Sequence, residues 1–342
     1  MKKLVMIVLA ALLICQGVAF ATDFDVVEIP ELGAANIQDI TGFNNLGQVI
    51  GRMNINGYIN GFAWGNGILA NVGTLHTNND PGLSESNSIN NKGQVVGTAG
   101  NNGNISHSFQ WEGGVIRDLN VNNDTNRLFS YALGINDSGT VVGRYMNWEG
   151  NIRGMYFLKD GVVTEIGSVM LGLYQMRVNN KGQVLYQILD YDGSTFHTYI
   201  WENGIAVEFP GGSGVSGLND KGQAFGTAYD YAYNPIITIW DSGIVYQYGC
   251  GSVYGMNNSA QIVGLAYPAV QNQYHPFFLD TYSNENVDLY EKIKTSVGSD
   301  YWTNQMLINE KGQILISVFS QDPYYVRRTF ILSPTGLFCQ NR

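Results

Sequence analysis

Four histidines, His76, His107, His197 and His275, are the side chains of this chain best suited to proton transfer or metal binding near neutral pH. Three of them share one context, each opening a short aromatic segment: His107-Ser108-Phe109, His197-Thr198-Tyr199 and His275-Pro276-Phe277. A metal holds its His ligands ~2 Å away, and a residue placed once in each of several separate structural units does not converge on one ion. A repeat-encoded structural role is therefore expected for all three. Glycoside hydrolysis would need two carboxylates ~5 to 10 Å apart. Asp190, Asp192, Asp230 and Asp300 fall in candidate loops, but nothing in their spacing pairs them. The run Asp190-Tyr191-Asp192-Gly193 resembles the start of a calcium loop and lacks the remaining ligands. No Gly-x-Ser-x-Gly elbow, phosphate loop or Cys-His pair is present. The sequence thus predicts no catalytic residue, no metal site and no cofactor.

Recognition chemistry is better represented. Tyr145, Trp148, Tyr191, Tyr229, Tyr231, Tyr233, Tyr267, Tyr274, Tyr324 and Tyr325, with Tyr58 as an earlier counterpart, lie in segments rich in Asn, Gly and Ser between short hydrophobic runs. Tyrosine offers a large, stiff, amphipathic contact at low entropic cost, and Asn, Gly and Ser add adaptable hydrogen bonding. Each ring has two readings: a contact for a glycan or protein ligand, or a cap on its own structural unit.

The elements that must carry these residues are written in a repeat. An Asn-x-x-Gly turn recurs at Phe43–Gly47, Ile89–Gly93, Ile135–Gly139, Val178–Gly182, Leu218–Gly222, Met256–Ala260 and Ile308–Gly312, with Ala260 standing in for the glycine of the sixth. The turns are 38 to 52 residues apart, a period that marks a repeat architecture. About twenty residues past each turn comes an aromatic segment such as Gly61-Phe62-Ala63-Trp64, Met155-Tyr156-Phe157-Leu158 or Pro276-Phe277-Phe278-Leu279. Most are followed by a Gly-bearing turn and a Val/Ile-rich run, as in Lys159-Asp160-Gly161 and Val162–Ile166, the pattern of a hairpin.

Each unit therefore reads as four antiparallel strands, A to D, and seven units predict an all-β, seven-bladed β-propeller. The turn Asn is expected to bond a backbone N–H ahead of it, and the Gly to supply a left-handed conformation. The first segment, Phe24–Pro30, resembles a D strand without a C strand of its own, and is expected to complete the seventh blade beside Thr329–Leu332. The segment Leu337-Phe338-Cys339 is its competitor for that edge. Because the strands alternate in direction, the A to B and C to D turns share one face and the B to C and D to A connections share the other. The tyrosines above belong to the second face, where variable loops carry function. The longest D to A connection, Asp288–Gln305, is expected to form a short helix over Leu289–Val297.

Met1-Lys2-Lys3, the apolar run Leu4–Leu13 and Ala19-Phe20-Ala21 read as a secretory signal peptide cleaved after Ala21. Residues 22–342 then form one propeller domain, secreted or periplasmic, with no membrane insertion after cleavage. Ile14 before Cys15 argues against lipid attachment, which takes a small residue there. Loss of Lys2 and Lys3 moves the formal net charge from −10 to −12, which excludes nucleic acid as an expected partner. Cys250 and Cys339 fall in the fifth and seventh units and are read as unpaired rather than as a disulfide.

The segment Gly134-Ile135-Asn136-Asp137-Ser138-Gly139-Thr140-Val141-Val142-Gly143, paired with His107-Ser108-Phe109-Gln110-Trp111-Glu112-Gly113-Gly114-Val115-Ile116-Arg117-Asp118-Leu119, resembles the bacterial HAF extracellular repeat. The resemblance spans Phe24 to Leu332. It is weaker in the last two units, where Ala260 replaces the turn glycine and the C strand lacks Trp. It implies export and a repeat β-fold, and no enzymatic activity. Some members carry a Pro-Glu-Pro sorting tail with a membrane helix; residues 332–342 show neither. The expected function is a monomeric, exported, non-enzymatic module that binds a glycan or extracellular protein through its aromatic loop face. The alternatives are a glycan-active hydrolase or lyase and a structural envelope protein.

Overall fold

The computed structural model describes residues 23–34, 36–76, 82–101, 105–121, 129–147, 153–168, 173–189, 196–209, 214–266, 274–298, 301–320 and 326–335. The chain is an all-β, seven-bladed β-propeller with four antiparallel strands in every blade. The first strand, β1 (Phe24–Glu28), belongs to the last blade. The first blade is β2 (Ile37–Phe43), β3 (Val49–Ile55), β4 (Tyr58–Gly65) and β5 (Ile68–Asn71); the second is β6 (Ser84–Ile89), β7 (Val95–Gly100), β8 (Ser106–Glu112) and β9 (Val115–Asp118). The third is β10 (Phe129–Ile135), β11 (Val141–Met146), β12 (Arg153–Lys159) and β13 (Val162–Ser168), and the fourth β14 (Leu173–Val178), β15 (Val184–Leu189), β16 (Phe196–Glu202) and β17 (Ile205–Glu208). These four blades form one compact unit.

The second unit holds the other three blades. The fifth is β18 (Val215–Leu218), β19 (Ala224–Tyr229), β20 (Pro235–Asp241) and β21 (Ile244–Cys250); the sixth is β22 (Ser252–Met256), β23 (Gln261–Ala266), β24 (His275–Asp280) and β25 (Glu285–Asp288). The one α-helix among the described residues, α1 (Tyr290–Val297), follows at the predicted place and leads to β26 (Tyr301–Ile308), β27 (Ile314–Ser320) and β28 (Val326–Pro334). The seventh blade is completed by β1, which pairs with β28 from Phe24↔Pro334 to Glu28↔Phe330. The closure expected from Phe24–Pro30 is therefore the one observed, while Leu337–Cys339 lies outside the described residues.

Sequence explains the internal build of a blade. The B strands read as short apolar runs and are buried on both faces, as in Val95-Val96-Gly97-Thr98-Ala99 of β7. Every A strand is bulged against its B strand, as between Ser86 and Ser88. The bulge presses a carbonyl onto the glycine of the B strand: a Cβ on Gly97 would lie 1.8 Å from the Glu85 carbonyl oxygen and 2.9 Å from the Phe109 ring. Gly51, Gly143 and Gly264 meet the same two obstacles, a carbonyl from strand A and an aromatic ring from strand C. The Val-x-Gly of strand B and the aromatic of strand C are thus one packing device read at two places in the sequence.

The recurring turn is a second device. In the second blade the Asn90 Oδ1 accepts the N–H groups of Lys92 and Gln94, and its Nδ2 donates to Gln94 Oε1. Gly93 sits in the left-handed region at φ 79°, and Ala260 takes the same conformation at φ 54°. The same Asn90 Nδ2 also donates to the Asn136 carbonyl of the next blade, 3.0 Å away. Asn44 and Asn136 repeat this step in the first unit, and Asn219 and Asn257 in the second. A parallel row of bonds runs in five of the turns from the next backbone N–H to the Asx or Glu side chain of the neighbouring turn, as Asn91 N–H to Asp137 Oδ1. The turn asparagines are buried, and Asn44, Asn90, Asn136, Asn219 and Asn257 are each a clasp between blades.

Candidate functional site

The B to C connection of the fifth blade, Asp230–Asn234, copies the hydrogen-bond pattern of the blade turns at the opposite end of the strands. The Asp230 N–H donates to the Asn234 carbonyl and the Tyr233 N–H to the Asp230 carbonyl. The Asp230 Oδ1 accepts the N–H groups of Ala232 and Asn234, and Oδ2 accepts the Asn234 amide. Asp230 therefore stands where the repeat has Asn, Asn234 where it has Gln, and Tyr233 where it has Gly. Tyr233 occupies the left-handed region at φ 63°, a placement that costs a non-glycine residue about 1 to 2 kcal/mol. The hydrogen bonds that over-determine the turn hold it there.

The turn aims its aromatic rings at solvent. Tyr229, Tyr231 and Tyr233 are 62%, 108% and 86% exposed. Tyr274, which immediately precedes β24 at the same end of the sixth blade, is 55% exposed. Hydrogen bonds, first from the Asn234 side chain and then from its backbone, hold the Asp230 carboxyl below the usual aspartate range. Both of its oxygens are engaged by the turn, which leaves Asp230 unsuited to act as a general acid. Its hydrogen bonds fix the backbone from which Tyr231 and Tyr233 project.

Tyr145 has the other fate. It is 5% exposed and lies in the core with Tyr156, Val141 and Leu158, packed over Gly154, where a Cβ would come within 2.3 Å of its ring. The expectation of a rim contact at Tyr145 is corrected: the missing side chain at Gly154 leaves a slot that the ring fills. Tyr58 is partly exposed at the start of β4. Trp148, Tyr191, Tyr267, Tyr324 and Tyr325 lie outside the described residues, as do Asp190, Asp192, Asp300, Cys339 and the leader segment. Cys250, at the end of β21, is exposed and carries a free thiol.

The three repeated histidines share a partner that the sequence reading missed. In each case Nδ1 meets a carboxylate from the D strand of its own blade: Asp118 at 2.6 Å from His107, Glu208 at 2.7 Å from His197, and Asp288 at 2.7 Å from His275. The pairs clip the start of strand C to the end of strand D. The signal was present as a carboxylate eleven or thirteen residues past each His, but strand D varies too much to align by eye. Asp288 serves twice, since Oδ1 accepts the Tyr290 N–H at the start of α1. The helix is further seated by Ile293 and Val297, which enter the core with Leu289 and Phe24. Among the described residues, no group of three or more His, Cys, Asp or Glu side chains is arranged to hold a metal, and no helix is long and apolar enough to cross a membrane.

The blades and their edge closure define the class as a seven-bladed β-propeller. Among solved structures, the chain resembles oligogalacturonate lyase in complex with manganese at a TM-score of 0.56, with 10% identity over 92% of this chain and 96% of that one. It resembles U3-55K at 0.53, with 9% identity over 90% and 98%. The β-propeller domain of the Trilobed protease from Pyrococcus furiosus matches at 0.51, with 12% identity over 75% and 86%. At such identities the likeness is one of fold alone. No protein-family model matches the chain, and no curated protein is similar to it in sequence.

Proposed function

We propose that this chain is an exported, non-enzymatic propeller of the HAF repeat type that binds a glycan through the tyrosines of its loop face. The observation that carries the reading is the Asp230–Asn234 turn, which keeps Tyr229, Tyr231 and Tyr233 in water on a rigid, fully hydrogen-bonded base. Exposed rings offer flat apolar faces to the C–H faces of sugar rings, and neighbouring polar groups suit hydroxyls. A protein partner would call for roughly 1,200 Å² or more of complementary surface, whereas the rings here stand singly on a polar turn. Export is supported by the charged, apolar and small-residue order of Met1–Ala21.

The test is a glycan array probed with residues 22–342 and with the Tyr231→Ala/Tyr233→Ala double variant. The expected outcome is a reproducible glycan signal in the parent chain that falls at least tenfold in the variant, with thermal stability unchanged. A glycan hit that survives the double substitution would sink the reading.

A further inference from the structure

The segment Val-x-Gly-Arg occurs twice at one repeat position, as Val49-Ile50-Gly51-Arg52 in β3 and Val141-Val142-Gly143-Arg144 in β11. The two arginines face different neighbours. Arg52 lies opposite Asp39 in the sheet. Its Nε donates to both Asp39 oxygens at 3.0 and 2.9 Å, Nη2 also bonds Asp39, and Nη1 reaches Glu85 Oε1 at 3.3 Å. That guanidinium is neutralised by its own chain. Arg144 lies opposite Tyr131 instead, the residue that occupies the Asp39 position five places before the turn Asn. Its Cζ stands 4.7 Å from the Tyr131 ring centroid. Its Nε is buried without a hydrogen-bond partner, and no ion pair reaches the guanidinium among the described residues.

We propose that Arg144, stacked on Tyr131, is an anchoring site for a carboxylate ligand. A guanidinium is always charged and presents a planar fork of donors that matches a carboxylate two bonds at a time. Stacking on the ring fixes its plane and leaves its edge to a partner. Arg144 lies two residues before the end of β11, and Tyr131 two residues after the start of β10. Both strand ends open toward the B to C and D to A connections of their own blade, so the site is separate from the one proposed at Tyr231 and Tyr233. Around Arg52, Asp39 of the first blade and Glu85 of the second occupy the place that a ligand carboxylate takes beside Arg144.

The experiment is a titration of the full chain with two matched pairs: D-glucuronate against D-glucose, and acetyl-dialanine carrying a free carboxylate against its amide. The readout is the Arg144 Nε–Hε resonance, assigned by its loss in Arg144→Lys, together with calorimetric affinity. The first pair reports an acidic sugar and the second a peptide terminus. The expected result is that the acidic member of at least one pair shifts the Arg144 signal while its neutral counterpart does not. Arg144→Gln should weaken that binding by about tenfold or more, the usual loss for a charged hydrogen-bonded pair, and Arg144→Lys should lose less because the charge remains. Unchanged melting of both variants separates the effect from misfolding. The proposal is overturned if neither acid moves the signal, if acid and neutral members bind alike, or if Arg144→Gln binds as the parent does.

Discussion

Asp118 illustrates how a residue acquires a role from its surroundings. Burial raises its pKa, but the hydrogen bond with His107 and the Asn120 N–H more than offset that, so it ionises below the ordinary aspartate range. A carboxyl with a depressed folded pKa contributes stability that is present above its unfolded value, ~3.9, and is lost as the pH falls through the folded value. Asp118→Asn should therefore be less stable than the parent at pH 7, and the gap should close on acidification below about pH 4, as read by urea unfolding across pH. A constant gap would show that the pair acts by shape rather than charge. At this scale the sequence was half legible. The shared position of His107, His197 and His275 announced a structural duty, yet their carboxylates were hidden in variable D strands. Tyr145 and Tyr231 look alike in sequence, and only the cross-strand neighbour, Gly154 for one and none for the other, separates core from surface.

Among the elements, β1 and α1 show how terminal and connecting segments become part of the core. Phe24 is buried against Phe278, edge to face at 5.5 Å, among Ile316, Phe330 and Leu332. Arg328 pairs with Glu28, and Lys292 of α1 with Asp23, at 2.7 Å. The exposed pairs contribute little, so the hold of β1 rests on its backbone ladder and on Phe24. Phe24→Ala should cost about 3 to 5 kcal/mol, measured as the shift in the urea midpoint, whereas Glu28→Gln should cost less than about 1 kcal/mol. The elements themselves were legible because each is bracketed by Gly or Asn turns and carries β-branched or aromatic residues. The bulges in the A strands were not, since a bulge is set by how one strand meets another and leaves only an indirect trace in the glycine of strand B.

For the molecule as a whole, the repeat made the architecture readable: seven Asn turns count seven blades. What the period did not disclose was that the turn Asn also joins one blade to the next. Asn90→Ala removes two acceptor contacts, a bond to Gln94 and the bond to Asn136. At roughly 0.5 to 1.5 kcal/mol net for each bond, a loss of about 2 to 6 kcal/mol is expected in equilibrium unfolding. Hydrogen exchange should quicken in the turns of both the second and third blades; faster exchange confined to the second would contradict a clasp between them. The seating of β1 has a temporal corollary. Glu28 meets Arg328 across 300 positions, so β1 is synthesised long before β28 and waits for it before it can dock. Until then the last sheet has a raw edge and Phe24 has no pocket, and the growing chain is at its most adhesive in the interval before β28 emerges. A chaperone that shields unpaired strands would have its greatest effect on this protein at that moment, and a chain stopped short of β28 would be a seed for aggregation rather than a smaller propeller.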